Sequence, residues 1–376
     1  MRKVEKIRKP FFLTARILYR YFYARPIEII RLTMNLNRWC SHKSYYPELK
    51  PKSKLRIYFD QILQVYKFGY PNEYYFSYGF DVKSSKQMDE YFHYGPFMQL
   101  RDKYNLSQHG STCILRNKFF FGMFCDYLGI KSGEILGLLS DNRVFQPSTK
   151  QSIVLDDFCK SNNGEFFVKK IDGECGKGIF KLLLKDGNIY LDGKNSDVSE
   201  IDNLCERSTY IIQRTVVQHP DMAKLHPQSL NTMRLVTIKN INTGQISILP
   251  SILRIGTGSS YVDNTSQGGV AVGIDFSTGN LKTHGFLKPQ FGGRVDRHPD
   301  SNIKFDEFQI PFLNQAIEQA KFLHSKLPDI HSIGWDIAIS PEGPVFIEGN
   351  DNWEINGPQI CNGGLKKQFL ECLALF

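Results

Sequence analysis

Two carboxylates and an amide mark the two ends of a short segment, "IGWDIAISPEGPVFIEGN" (residues 333–350): Asp336 in its first apolar run, Glu348 and Asn350 after its second. All three offer oxygen, and hard oxygen ligands suit Mg2+ rather than zinc or copper. Magnesium usually takes one or two carboxylates and leaves its other positions to water and nucleotide phosphates. Pro341, Glu342 and Gly343 separate the runs 336–339 and 344–347 in the manner of a hairpin turn. Pairing the runs would bring the carboxylates together, with Asn350 on the same side as Glu348 if the strand continues. Acids capping strand ends at the surface are the commoner case; the buried-looking strand in "VFIEGN" argues against it here.

A positive counterpart lies upstream, in "GEFFVKKIDGECGKGIFKLLLKDGNIYL". Residues 166–169 read as a strand, 173–178 as a loop with Gly173, Gly176 and Gly178, and 179–184 as a second strand, which Gly187 turns into a third. Such a loop can fold over phosphates, because glycine lets backbone N–H groups approach an anion closely. An ordinary hairpin has the same signature, and the order of a P-loop is missing. Lys169 ends the first strand and points opposite to Val168, whereas its neighbour Lys170 turns the other way. Lys118 begins a helix opened by Asn117 in "NKFFFGMFCDYLGI". Two lysines and a glycine flap against two acids and an Asn would hold a triphosphate.

The elements that must position these groups make an α+β chain. Strands surround the flap, more follow in "SLNTMRLVTI", "QISILPSILRIGTG" and "GGVAVGID", and a helix over 308–327 precedes the acidic hairpin. Residues 1–105 read as a basic, aromatic-rich, mainly helical accessory region with turns at "YPELKPKSK" and "YGPF"; 106–218 carry the flap, and 219–376 the metal site. The chain has 376 residues, 41% of them hydrophobic, enough for a large core. Residues 1–40 hold ten of its Lys and Arg against Glu5 and Glu28, so the net charge of +9 is concentrated there and the body is nearly neutral. That argues against a broad nucleic-acid footprint.

Eight cysteines without a CxxC pair or zinc-spaced histidines point to a reducing cytoplasm. No apolar run approaches the ~18 residues of a membrane span. On a helical wheel Phe11, Phe12, Ala15, Leu18, Tyr19 and Phe22 share one face beside Arg16 and Arg20. Residues 1–25 could therefore rest on an anionic membrane, or pack on the protein's own body with solvated arginines. Cys175 reads as a small loop residue, Trp335 and Trp353 as core, and His219 and His226 as turn residues.

The order of these pieces resembles the ATP-grasp superfamily, in particular its branch associated with sugar transfer and capsule or other surface polysaccharide synthesis, over about residues 117–376. "SLNTMRLVT", "GGVAVGID" and "GWDIAISPEGPVFIEGN" carry the resemblance most specifically. It implies an α+β ATP-grasp fold whose two lobes grip ATP, and a cytoplasmic ligase, at most peripheral to the inner face of a membrane. Lys118 and Lys169 would hold phosphates under Gly173, Gly176 and Gly178. The hinge at Gln213, Arg214 and Val216 would meet adenine, with Gln213 where the family often has a glutamate. Arg234, and more weakly Arg254, would hold the transferred phosphoryl group or the substrate carboxylate; Asp336, Glu348 and Asn350 would bind Mg2+, with Mn2+ as a substitute. The implied reaction joins a carboxylate to an amine through an acyl phosphate. A small-molecule kinase and a non-catalytic nucleotide-binding scaffold are the alternatives. His284 and Asp263 are weak choices for a general base.

Overall fold

The computed structural model describes residues 18–105, 110–173 and 178–375. Two antiparallel sheets organise them. The smaller lobe is an eight-stranded sheet: β1 (Ile135–Ser140), β2 (Arg143–Gln146), β3 (Gln151–Val154), β4 (Gly164–Lys170), β5 (Ile179–Lys185), β6 (Asn188–Leu191), β7 (Lys194–Ser196) and β8 (Tyr210–Arg214), in the order β3-β2-β1-β8-β4-β5-β6-β7. Alternation along β4 and β5 buries Phe166, Val168 and Leu182 against Leu155, Phe158 and Ile201. Gly187 at φ +80 makes the β5–β6 turn that the sequence suggests.

The larger sheet comprises β9 (Thr232–Lys239), β10 (Ile246–Ile255), β11 (Val270–Ile274), β12 (Leu281–Phe286), β13 (Arg294–Val295), β14 (Ser332–Ser340) and β15 (Gly343–Asn350), ordered β13-β12-β11-β10-β9-β14-β15. The acidic hairpin is therefore β14–β15, longer than its apolar runs, with only Pro341 and Glu342 between the strands. Every residue of β14 is buried, because both faces of the sheet are covered. Leu235, Leu253, Trp335 and Ile337 pack on one side against Leu313, Ala316, Ala320 and Leu323 of the helix Leu313–Ser325. On the other side Val236 and Ile238 meet Phe97, Trp353 and Phe369, while Ile252, Ala271 and Phe286 meet Tyr78, Phe80 and Tyr91.

Two local expectations change. The helix expected over 308–327 begins only at Leu313: Pro311 biases Ile310 away from the helical region, and Phe312 sits at φ +53. "YGPF" is not a turn but the start of the helix Tyr94–Asn105, where Pro96 falls in the first turn and its missing N–H costs nothing.

That helix fixes the acidic hairpin. Its last residue, Asn105, is buried; its amide donates to the carbonyls of Ser332 (2.8 Å) and Asp351 (2.7 Å) and accepts from the N–H groups of His331 (3.1 Å) and Ser332 (3.0 Å). Arg101, one turn earlier, bonds the Trp353 carbonyl. The two ends of the hairpin region are thus tied to one helix through groups that would be costly to leave unpaired.

Candidate active site

Strand register makes the site. Asp336 of β14 lies opposite Arg234 of β9 on one side and Glu348 of β15 on the other, so the three side chains form one cross-strand row. A β-bulge follows Asp336. The Asp336 carboxylate takes both forks of Arg234, Nη2 at 3.0 Å and Nε on its other oxygen, and Arg254 Nη2 at 3.0 Å. Arg254 also donates to Thr232 Oγ1 at 2.7 Å and lies 3.6 Å from Asp263. Asp263 in turn accepts from Thr232, from its N–H at 2.9 Å and from its hydroxyl.

Charge is unequally shared within the pair of acids. At Asp336 burial raises the carboxyl pKa, but Arg234 and Arg254 outweigh it and hold the group at about 2. Burial and then the adjacent Asp336 push Glu348 above the usual carboxylate range. Its nearest cation is Lys118 Nζ, 3.9 Å from Oε2, and the Asn350 amide donates to its Oε1 at 3.3 Å. Two carboxylates and an amide on two adjacent strands are an all-oxygen donor set, and a cation beside Glu348 would offset the burial and the Asp336 charge that push its carboxyl up. These residues fit Mg2+ that shares its sphere with phosphate and water. Among the described residues no group of three or more His, Cys, Asp or Glu forms a separate metal cage.

The smaller lobe brings its cations to the same place. Asn117 caps the helix Lys118–Tyr127 by accepting from the N–H groups of Phe119 and Phe120. Lys118 thereby starts the helix beside the end of β4, where its N–H bonds the Ile171 carbonyl (3.0 Å) and its Nζ the Gly173 carbonyl (2.5 Å). Lys169 Nζ donates to Gln213 Oε1 at 2.6 Å, and Gln213 Nε2 to the Gly133 carbonyl at 3.0 Å. Burial lowers the Lys169 ammonium to about 8, with Glu348 opposing and Lys118 adding to the fall. Lys118, Lys169 and Glu348 therefore converge from a helix and both sheets. Lys170 instead turns toward Asp172 (3.6 Å) and is 40% exposed.

Gly173 and Gly178 stand at the two ends of the flap, Gly178 at φ +69; Gly176 and Cys175 lie outside the described residues. Arg214 is exposed and paired with Glu134 at 2.7 Å, and Val216 is half-buried in the segment that leaves β8 for the larger sheet. His284 is not brought to the acids: it lines a cleft of about 640 Å3 with Tyr46, Lys83 and Lys282, on β12, four strands from β14. Trp335 and Trp353 are core, as expected. His219 caps the helix Pro220–Leu225. His226 is more than a turn residue, being buried against Ser229 and the Gly258 carbonyl.

Sequence reasoning misses three supports. Asn105 carries no local signal. Arg116 clamps Asp351 with two bonds, 2.9 and 2.7 Å, which its place two residues before Lys118 could have suggested. Gln213 was read as a hinge residue; its side chain also holds Lys169.

No curated protein sequence matches the chain. Among solved structures, the ADP complex of purK, N5-carboxyaminoimidazole ribonucleotide synthetase, is 14% identical with a TM-score of 0.37, covering 63% of this chain and 45% of that one. D-alanyl-alanine synthetase A from Vibrio cholerae is 14% identical at a TM-score of 0.39, covering 70% and 66%. D-alanine-D-alanine ligase from Helicobacter pylori is 14% identical at 0.39, covering 69% and 58%. The chain thus spans less than half the length of the first of these. Family membership rests on the sequence match, which runs through the flap, both arginines and the acidic hairpin: over residues 98–371 the chain belongs to the sugar-transfer associated ATP-grasp family, with an α+β ATP-grasp fold.

Proposed function

We propose that this chain is an ATP- and Mg2+-dependent carboxylate–amine ligase that works through an acyl phosphate and attaches an amino acid or amine to a sugar of a surface polysaccharide or its precursor. The observation that carries the reading is the convergence of Lys118 and Lys169 on the row Glu348–Asp336–Arg234. The nucleotide supplies the phosphoryl group, and the metal offsets the charge of its oxygens. Lys118 and Lys169 would hold the phosphates from the flap side, and residues 213–216 the adenine. Glu348, Asp336 and Asn350 would hold the metal. Arg234 and Arg254 would orient the substrate carboxylate and stabilise charge spread over the transferred group, a role in which fixed donors act without reorganising. Gly173, Gly176 and Gly178 would let the flap close and exclude water, which an acyl phosphate requires.

The sugar-linked acceptor is supported only by the family's description. A cytoplasmic site, peripheral to the inner membrane face through residues 1–25, is supported by the basic charge of that end. No described helix is long and apolar enough to cross a membrane. Residues 1–105, 106–218 and 219–376 would act as accessory region, flap lobe and metal lobe. The test is ADP release from ATP and Mg2+ with a panel of carboxylates and amines, with hydroxylamine as trap and Glu348→Gln as control. ADP coupled to hydroxamate and lost in the control is the expected result; a phosphorylated product without hydroxamate would make the protein a kinase.

A further inference from the structure

The helix Lys54–Phe68 buries three polar side chains and leaves a large apolar stripe outside. Its ends are well formed, with Ser53 accepting from Arg56 N–H and Gly69 closing it at φ 99. The face turned to the protein nevertheless carries Asp60, Gln61 and Gln64 beside the apolar Ile57 and Val65. Asp60 is 2% exposed and accepts from Lys52 Nζ and the Tyr75 hydroxyl, each at 2.7 Å. Gln61 exchanges two bonds with the backbone of Asn72, 2.8 and 3.2 Å. The face turned outward carries Leu55, Phe59, Leu63 and Tyr66, 64%, 51%, 50% and 55% exposed. Spacings of four, four and three place these four on one stripe.

A neighbouring helix enlarges the apolar surface. Arg25–Met34 and the turn before it are held to the helix Lys54–Phe68 by Arg25 Nε on the Tyr66 carbonyl (2.6 Å) and by Thr33 with the Tyr58 hydroxyl (2.7 Å). They expose Phe22 (79%), Ile30 (58%) and Met34 (80%). Around these side chains the charge is one-sided: residues 18–70 contain ten Lys and Arg but only Glu28, Glu48 and Asp60, and Asp60 is buried. Arg31, Arg38, Lys54, Arg56 and Lys67 are all exposed; Arg31 pairs with Glu28, Arg56 with the buried Asp60 and Lys67 with Asp89, so the rim remains positive on balance. A second copy of the chain would set two strongly basic faces against each other. An anionic lipid surface satisfies both halves of the pattern, taking the apolar stripe into the acyl boundary and the basic rim at the headgroups.

We infer that the outward stripe Leu55–Phe59–Leu63–Tyr66, with Phe22, Ile30 and Met34 beside it, is a docking surface for an anionic lipid bilayer. This deepens the membrane reading given to residues 1–25, with which it shares only Phe22, and no part of it depends on the ligase chemistry. The test uses the full chain in flotation with vesicles of mixed phosphatidylcholine and phosphatidylglycerol, against phosphatidylcholine alone. The wild-type chain should float with the anionic vesicles and not with the neutral ones. Phe59→Glu/Leu63→Glu should weaken that binding about tenfold or more, because two partly exposed side chains lose their insertion. An unchanged melting temperature and unchanged ADP binding would show the double variant folded, and the single Phe59→Ser variant repeats the measurement with a smaller perturbation. Absence of binding to anionic vesicles, or binding that both variants retain, overturns the proposal. So does self-association in sedimentation velocity that the double variant abolishes without any lipid binding, which would make the stripe an interface between copies. A requirement to delete residues 1–17 before vesicles bind also overturns it, since the stripe would then be the seat of that segment.

Discussion

The two sides of the candidate nucleotide site are held in different ways. On the metal side, Asp336 lies in a strand buried along its whole length, is bonded by two arginines, and sits in a sheet tied at Asn105 to a helix on its outer face. On the phosphate side, Lys118 rests on the carbonyl of Gly173 at the edge of the flap, and Lys169 on one glutamine. The first side is rigid because its charges are paired across strands that the core already fixes. The second uses contacts that a phosphate could replace. On the proposed reading, placing a metal would fall to the packed sheet and holding the phosphates to the lysines of the other side.

The largest expected effect is at Asp336. Asp336→Ala should cost roughly 3–5 kcal/mol of stability, since it leaves two guanidinium groups without their buried partner; urea denaturation reads it, and ADP–Mg2+ binding should be lost. Glu348→Gln sharpens the contrast. Because the Glu348 carboxyl is pushed up in the folded protein, its charge weakens the fold as pH rises through that raised value; neutralising it should leave the melting temperature at pH 8 unchanged or higher while Mg2+-dependent nucleotide binding disappears. Equal destabilisation in both variants would break the distinction between a paired and an under-compensated acid.

Acid should also destabilise the fold. His93, His324 and His331 are buried, and desolvation lowers them to about 4, 3 and 4. A group depressed in the folded state contributes stability above its unfolded pKa, near 6.5, and loses it as pH falls toward the folded value. Melting temperature should therefore fall from about pH 6 toward pH 4, read by thermal denaturation across that range. A flat profile there would contradict the burial of these rings.

Next in size, Asn105→Ala should cost on the order of 2–3 kcal/mol by leaving buried backbone groups of His331, Ser332 and Asp351 unpaired, measured by denaturation, with weaker Mg2+ dependence of nucleotide binding. On the phosphate side Lys169→Met should raise the Kd for ADP by roughly tenfold or more with little change in stability, because a buried ammonium at about 8 is itself a burden on the fold. Gly178→Ala is the smallest: φ +69 makes it cost about 1 kcal/mol, read as a modest fall in melting temperature.

Much of this was written locally. Hairpin punctuation at 341–343, the Asn117 cap, the turn at Gly187 and the alternation that separates Lys169 from Lys170 are consequences of a few adjacent residues, and the fold confirms each. Tertiary structure alone decided the rest. The hairpin sets Glu348 beside Asp336, but which strand lies on the other side of β14 determines that Arg234 flanks Asp336 there, a pairing between residues 102 positions apart that no local pattern encodes. The clamp from Asn105 joins residues more than 220 apart. The helix Lys54–Phe68 is the clearest case. Its amphipathic stripe is readable in sequence, but which face meets the protein was settled by Lys52, Asn72 and Tyr75 satisfying Asp60 and Gln61. A buried polar group is tolerable only when its partners are already in place.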